Sequence, residues 1–355
     1  MGANAPVPKS GEGRVRPGEE LDVEKLHAWL ADRVPGLSGR PRITQYSGGA
    51  SNWTYRLEYP AHDLVLRRPP AGTKAKSAHD MAREYRVQKA LAPVFPHVPE
   101  MVALCEDPTV IGAEFYVMRR IDGAILRRDL PRGMKLTPDR ARALCLRMLD
   151  TLVEFHAVDW RGAGLEHLGK GAGYVRRQIE GWTERYAKAR TWNVPKARII
   201  TGWLRDNMPA GEEIRLTHND FRFDNLVLDR EDPTHILGVL DWELAALGDP
   251  RMDVGNMLAY WVEAKDDPVG RWLRRQPTHL PGMLTRREVV AYYFDKTGLR
   301  VEPFHEVYGL FRLSVIAQQI YYRYFHGQTK NPAFRHLWAA VGYLHWRCLR
   351  ILRAA

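Results

Sequence analysis

Leu216-Thr-His-Asn-Asp-Phe-Arg-Phe-Asp-Asn-Leu-Val-Leu-Asp229, followed by Ile236-Leu-Gly-Val-Leu-Asp-Trp-Glu243, is the stretch from which the rest of the chain can be read. Apolar, β-prone residues flank a polar loop. Leu226 to Leu228 reads as a short strand, Asp229 to Thr234 carries turn residues, and Ile236 to Leu240 reads as the returning strand. Such a hairpin predicts that Asn225, at its start, comes close to Asp241, at its end. Asp220 precedes Asn225 on the loop that enters the hairpin.

Asp220, Asn225 and Asp241 are therefore expected to converge. Carboxylate and amide oxygens suit Mg²⁺, which takes one or two carboxylates together with substrate phosphates and water. Phosphoryl transfer needs such an ion and a carboxylate that orients the attacking hydroxyl and accepts its proton. Asp220 is the candidate for that carboxylate, and Asn225 and Asp241 are the candidate metal ligands.

His218-Asn-Asp-Phe-Arg-Phe-Asp-Asn225 resembles the catalytic loop of the eukaryotic-like kinase superfamily. Val239-Leu-Asp-Trp-Glu-Leu-Ala-Ala-Leu-Gly-Asp-Pro250, with Asp253-Val-Gly-Asn-Met-Leu258 behind it, is similar to the aminoglycoside phosphotransferase family. Within that family the likeness is greatest to the kinase-like domain fused to some acyl-CoA dehydrogenases. The resemblance implies an α+β, bilobal, protein-kinase-like fold, with a small antiparallel-sheet N-lobe and a large, mainly helical C-lobe. It implies ATP and Mg²⁺ as cofactors and a small hydroxylated acceptor. The family usually has Gly where Asn219 stands; Asn tolerates left-handed backbone angles better than most residues. Arg222 would put a fixed cation near the transferring phosphoryl group, so it joins Asp220 as a candidate catalytic residue.

Other landmarks fall in the order this layout needs. Ile43 to Leu57 reads as strand, Gly-rich turn, strand, and Ser47, Gly48, Gly49, Ser51 and Asn52 are candidate nucleotide contacts. A Gly-Gly turn is also what a plain hairpin would have. Leu64 to Arg67 is a short strand ending in a cation. By the resemblance Arg67 meets the nucleotide phosphates; Arg68 points to the opposite face and is the alternative. Glu84, on a helix expected over 79–91, either pairs with Arg67 or is a solvated helix carboxylate. Val117 and Met118, at the end of a strand, are candidate adenine contacts through the backbone, although a Met in an apolar strand is usually core. His156, closing a helix expected over 137–159, is assigned to helix carbonyls rather than chemistry. By the resemblance Asp253 braces the catalytic loop. Glu243 either joins the metal shell through water or is structural.

Strand signals concentrate between 43 and 118 and helical ones after 137, which suggests a tail over 1–20, an N-lobe over 21–118 and a C-lobe over 119–355. Cys105, Cys145 and Cys348 are widely spaced and offer neither a disulfide framework nor a metal pattern, so a reduced, cytoplasmic setting is expected. No signal peptide, membrane span or nucleic-acid module is read, which leaves membranes and nucleic acid out as partners. The net charge of +11 and the basic residues Arg271, Arg274, Arg275 and His279 in the Pro-rich 266–284 segment point to an anionic acceptor, with a hydroxyacyl-CoA as the first guess. An aminoglycoside- or choline-type kinase and a catalytically silent nucleotide-binding module are the alternatives. A functional link to an acyl-CoA dehydrogenase follows from the resemblance alone.

Overall fold

The computed structural model describes residues 12–46, 52–70 and 80–354. In chain order they form β1 (Glu12–Gly13), α1 (Val23–Ala31), β2 (Arg42–Tyr46), β3 (Trp53–Glu58), β4 (Asp63–Arg68), α2 (Met81–Leu91), β5 (Met101–Cys105) and β6 (Phe115–Arg119). Then come α3 (Pro138–His156), α4 (Tyr174–Ala189), α5 (Arg198–Asp206), β7 (Arg215–Thr217), β8 (Leu226–Leu228), β9 (Ile236–Val239) and β10 (Ala246–Gly248). The chain closes with α6 (Pro250–Ala259), α7 (Pro268–Leu273), α8 (Arg286–Thr297), α9 (Pro303–Phe325) and α10 (Leu337–Leu352). No helix among the described residues is long and apolar enough to cross a membrane.

Two compact units result. One comprises Met1–Ile125 and Leu226–Glu243, the other Leu126–Asn225 and Leu244–Ala355. The first break thus falls after Ile125 instead of after residue 118. The hairpin β8–β9 belongs with the sheet-rich unit although it lies far along the chain. Backbone bonds explain this: Ala124 and Leu228 exchange N–H···O bonds of 2.7 and 2.8 Å, and the Val239 N–H donates to the His97 carbonyl at 2.6 Å.

The sheet-rich unit is built on an antiparallel sheet in the order β1-β2-β3-β4-β6-β5. Strand alternation sends Tyr55, Leu57, Leu64, Leu66, Phe115 and Val117 to one face, where they bury Leu26 and Leu30 of α1. The other face carries Val65, Tyr116 and Met118 against Met81 and Tyr85 of α2. Fully burying one such side chain stabilises by about 1.5–3 kcal/mol, more than an exposed ion pair, so the apolar alternation sets which face Arg67 takes. Asp80 caps α2, accepting the Arg83 N–H at 2.8 Å.

The helical unit has α9 at its centre, packed against α4, α5, α6 and α10. Val307, Tyr308, Leu310, Phe311 and Val315 are its buried stripe. The α6–α9 crossing is close because glycines meet there: a Cβ on Gly255 would collide with the His305 carbonyl, and one on Gly309 with the Gly255 carbonyl. Asp249 caps α6, accepting the Arg251 N–H at 2.9 Å. Pro332–Phe334 forms a separate 3₁₀ turn ahead of α10.

Candidate functional site

In the helical unit, β7 pairs with β10 and delivers the chain into His218-Asn-Asp-Phe-Arg222. Two backbone amides of this loop are bound by one carboxylate. Asp253, fully buried on α6, accepts the His218 N–H at 2.6 Å and the Asn219 N–H at 2.8 Å. The bracing role expected of Asp253 is what the geometry shows. His156 departs from expectation. It caps no carbonyl; its Nε2 lies 3.3 Å from Asp253 Oδ2 and its Nδ1 2.9 Å from the Tyr293 hydroxyl. Its ring thus ties α3 and α8 to the carboxylate that holds the loop.

Asn219 has φ of 63°, a left-handed conformation that Asn visits more readily than most residues. Asn adds what Gly cannot. Its Oδ1 accepts from the Tyr174 hydroxyl at 3.3 Å and from Asn256 Nδ2 at 3.2 Å. Its Nδ2 donates to Thr217 Oγ1 at 3.0 Å and to the Leu244 carbonyl at 3.1 Å. Asn219→Gly is expected to keep the loop conformation yet lower stability by about 1–3 kcal/mol, because these buried partners lose their bonds. A denaturant midpoint unchanged from wild type would contradict this.

Asp220 sits on the turn so formed. An Arg222 Nη donates to the Asp220 Oδ2 at 3.0 Å, and Nε lies within ion-pair distance of Oδ1 at 2.9 Å. Asn225 Nδ2 donates to Asp220 Oδ2 at 3.0 Å and to its carbonyl at 2.8 Å. Burial raises the Asp220 pKa, but the charges of Arg222 and Arg312 outweigh it and hold the carboxyl below its usual value. An ionised, hydrogen-bonded carboxylate is suited to orient a hydroxyl and take its proton late. Asn225's amide nitrogen is committed, which leaves its oxygen as the group that a cation could use.

Arg222 also meets Asp224 at 3.2 Å and stacks over Tyr260 at 4.3 Å. Its guanidinium is thus held by two carboxylates, and its observed part is to position Asp220. Sequence reasoning missed the support on the other side: the Phe223 N–H donates to Gln276 Oε1 at 2.9 Å. Gln276 lies in the basic 266–284 segment, which places that segment beside the loop. Of its cations, Arg274 is paired with Asp129 at 2.5 Å.

In the sheet-rich unit, Arg67 bridges Glu84 at 3.2 Å and Asp241 at 3.0 Å. The Arg67–Glu84 ion pair is therefore present. Burial disfavours the charges, yet Glu84 and the other surrounding anions keep Arg67 well above its ordinary pKa. Burial pushes Glu84 up, with Arg67 opposing. Asp241 has φ of 69°, rare outside Gly and a mark of a turn shaped for its side chain. Arg68 is excluded as the alternative cation: it is buried on the opposite face, donating to the Ile111 carbonyl at 3.0 Å.

Val117 is expected as a nucleotide contact through its backbone, and its side chain takes no part in one. It lies between β4 and β5, paired with Leu66 and Ala103, and its side chain is in the α1-facing core. Met118 is on the face that carries Arg67. Asn52 donates to Glu243 Oε2 at 3.0 Å, and Arg83 to the Glu243 carbonyl at 3.0 Å, so Glu243 has structural partners. Ser47, Gly48, Gly49 and Ser51 lie outside the described residues.

Comparison with known proteins agrees with this geometry. The sequence model of the phosphotransferase enzyme family (APH) matches residues 42–288. Mouse acyl-CoA dehydrogenase family member 10 is 35% identical over 298 residues, 83% of this chain and 28% of that protein. The chain spans less than half the length of the curated relatives it matches. A solved Ralstonia eutropha structure, provisionally assigned as an aminoglycoside phosphotransferase, is 30% identical with a TM-score of 0.80, covering 95% of this chain and 99% of that one. Aminoglycoside phosphotransferase APH(4)-Ia, solved with ADP and hygromycin B, shares the fold at 17% identity and a TM-score of 0.59, covering 93% of this chain and 99% of that one. With an antiparallel sheet in one unit, helices in the other and the family pattern running through both, the chain belongs to the APH phosphotransferase family and has its α+β, kinase-like fold.

Proposed function

We propose that the protein transfers the terminal phosphoryl group of ATP, with Mg²⁺, to a hydroxyl of a small molecule. The observation that carries this reading is the Asp220 carboxylate, clamped by Arg222 and Asn225 on a loop that Asp253 holds by two backbone amides. Asp220 orients the acceptor hydroxyl and accepts its proton. Arg222 keeps the Asp220 carboxylate in one orientation and ionised. Its cation also offsets charge developing on the phosphoryl group. Arg67, positioned by Glu84, meets nucleotide phosphate. Ser47, Gly48, Gly49, Ser51, Asn52, Val117 and Met118 complete the nucleotide contacts.

Each candidate donor, taken by itself, suits Mg²⁺. Among the described residues no group of three or more His, Cys, Asp and Glu could hold a metal, which argues against a fully protein-built site. Asn225 has its amide oxygen to offer, and the Asp241 carboxylate is partly exposed at 34%. One or two protein oxygens with phosphates and water is the usual Mg²⁺ shell. When bound, the ion would neutralise phosphate charge. Most of the acceleration comes from positioning and electrostatics, so the chain itself forms no covalent intermediate.

The finer reading is an anionic acceptor, with a hydroxyacyl-CoA first, in the cytoplasm and linked to an acyl-CoA dehydrogenase. It is supported by the names of the relatives and by the basic segment that Gln276 anchors to the loop. The left-handed Asn219 supports catalysis over a silent nucleotide-binding module, since the one unusual loop residue keeps the required backbone angle. The test is ATP consumption with Mg²⁺ across hydroxyacyl-CoAs, aminoglycosides and choline. Turnover confined to hydroxyacyl-CoAs and abolished by EDTA is expected. Selective turnover of a cationic amine would overturn the finer reading, and nucleotide binding without transfer to any acceptor would favour the silent module.

A further inference from the structure

Arg312 stands in the middle of α9, only 4% exposed. None of the described residues hydrogen-bonds its guanidinium or forms an ion pair with it. It lies over the Trp182 ring, 5.2 Å from the centroid. The other guanidiniums sunk into this unit have carboxylates: Arg222 has Asp220 and Asp224, Arg251 has Asp249, and Arg286 has Asp266 and Glu263.

Burying a guanidinium whose N–H groups have no acceptor costs several kcal/mol, and a ring face returns only about 2. A mid-helix position supplies no unpaired carbonyls to make up the difference. The charge is also placed where the chemistry is: it acts on Asp220 and on Tyr260, the residue under Arg222. Arg222 is shared between Asp220 and Asp224, so Arg312 adds a second positive charge near the base while its own N–H donors stay unused. Arg67 and Glu84, the nucleotide candidates, belong to the other unit.

We propose that Arg312 recognises a negatively charged group on the acceptor and holds that molecule with its hydroxyl toward Asp220. This rests on the phosphotransferase reading. It makes Arg312 a specificity residue, and it requires an acceptor that is a hydroxylated anion. The charge comes either from a carboxylate, as in a free hydroxy acid, or from the phosphates of a CoA thioester.

Titration calorimetry on the full chain, saturated with Mg²⁺ and a non-hydrolysable ATP analogue, separates these cases. The probes are 3-hydroxyhexanoate, its CoA thioester and the uncharged 1,3-hexanediol. At least one anion is expected to bind more tightly than the diol. Arg312→Met is expected to weaken that anion by roughly 30-fold or more, the effect of removing one partner from a buried charge pair. Arg312→Lys, which keeps the charge, loses less and serves where the Met variant does not fold. Both variants bind the nucleotide analogue like wild type. Weakening confined to the free acid identifies a carboxylate, and weakening confined to the thioester identifies phosphate. The proposal falls if Arg312→Met binds the anion within about threefold of wild type. It also falls if the diol binds as well as the anions, or if a nucleotide-competent protein binds neither anion. A wild-type chain that fails to bind the nucleotide analogue removes the phosphotransferase reading itself, a separate result.

Discussion

Asp220→Asn is expected to lower ATP-dependent transfer by about 10²–10⁴-fold while leaving the protein folded and able to bind nucleotide. The amide matches the carboxylate in shape, so the turn persists. It cannot accept a proton, and it gives Arg222 one oxygen where two now lie at 2.9 and 3.0 Å. Arg222 retains Asp224 at 3.2 Å, which limits the structural damage. Because Asp220 is held below the usual carboxylate range, it acts mainly by orienting the hydroxyl and takes the proton late. Single-turnover measurement of phosphoryl transfer, beside nucleotide binding and circular dichroism, checks the expectation. Near-wild-type transfer by a well-folded variant would remove Asp220 from the chemistry.

The second large effect concerns stability. Asp253→Ala is expected to cost about 3–5 kcal/mol, because a fully buried charge with three partners is deleted and each partner is left behind. The His218 and Asn219 N–H groups lose their acceptor, and His156 loses one side of its bridge to Tyr293. Asp253→Asn restores only one accepting oxygen for two backbone donors, so it falls between. Urea unfolding of the three proteins gives the order wild type, Asn, Ala. An Ala variant within 1 kcal/mol of wild type, about fivefold in the folding equilibrium, would show that the loop stands without this brace.

The sequence revealed what local pattern and chain order can encode. Alternation over Leu64 to Arg68 set Arg67 and Arg68 on opposite faces, the resemblance chose Arg67, and the spacing from Asp220 to Asn225 put both on one loop. The Arg67–Glu84 pair was legible because strand cation and helix carboxylate come in kinase order. Side chains whose partners lie far away were not. His156 was read from its position at a helix end, and its partners Asp253 and Tyr293 stand 97 and 137 residues further on. Gln276 carried no signal, being a polar residue in a polar, Pro-rich run, and only folding turns it into the acceptor for Phe223. Val117 and Met118 differ by one position, and the period of two in a strand sends them to opposite faces. The hairpin's membership in the sheet-rich unit depends on the bonds to Ala124 and His97, which no local periodicity encodes.

The paired glycines of the α6–α9 crossing have a consequence for inherited variation. Adding even a methyl at Gly255 or Gly309 would wedge the two helices apart and carry Asp253 away from the amides it binds. A substitution bearing no polar atom and touching no reactant would then read out as lost turnover, so changes on these helices belong with active-site lesions.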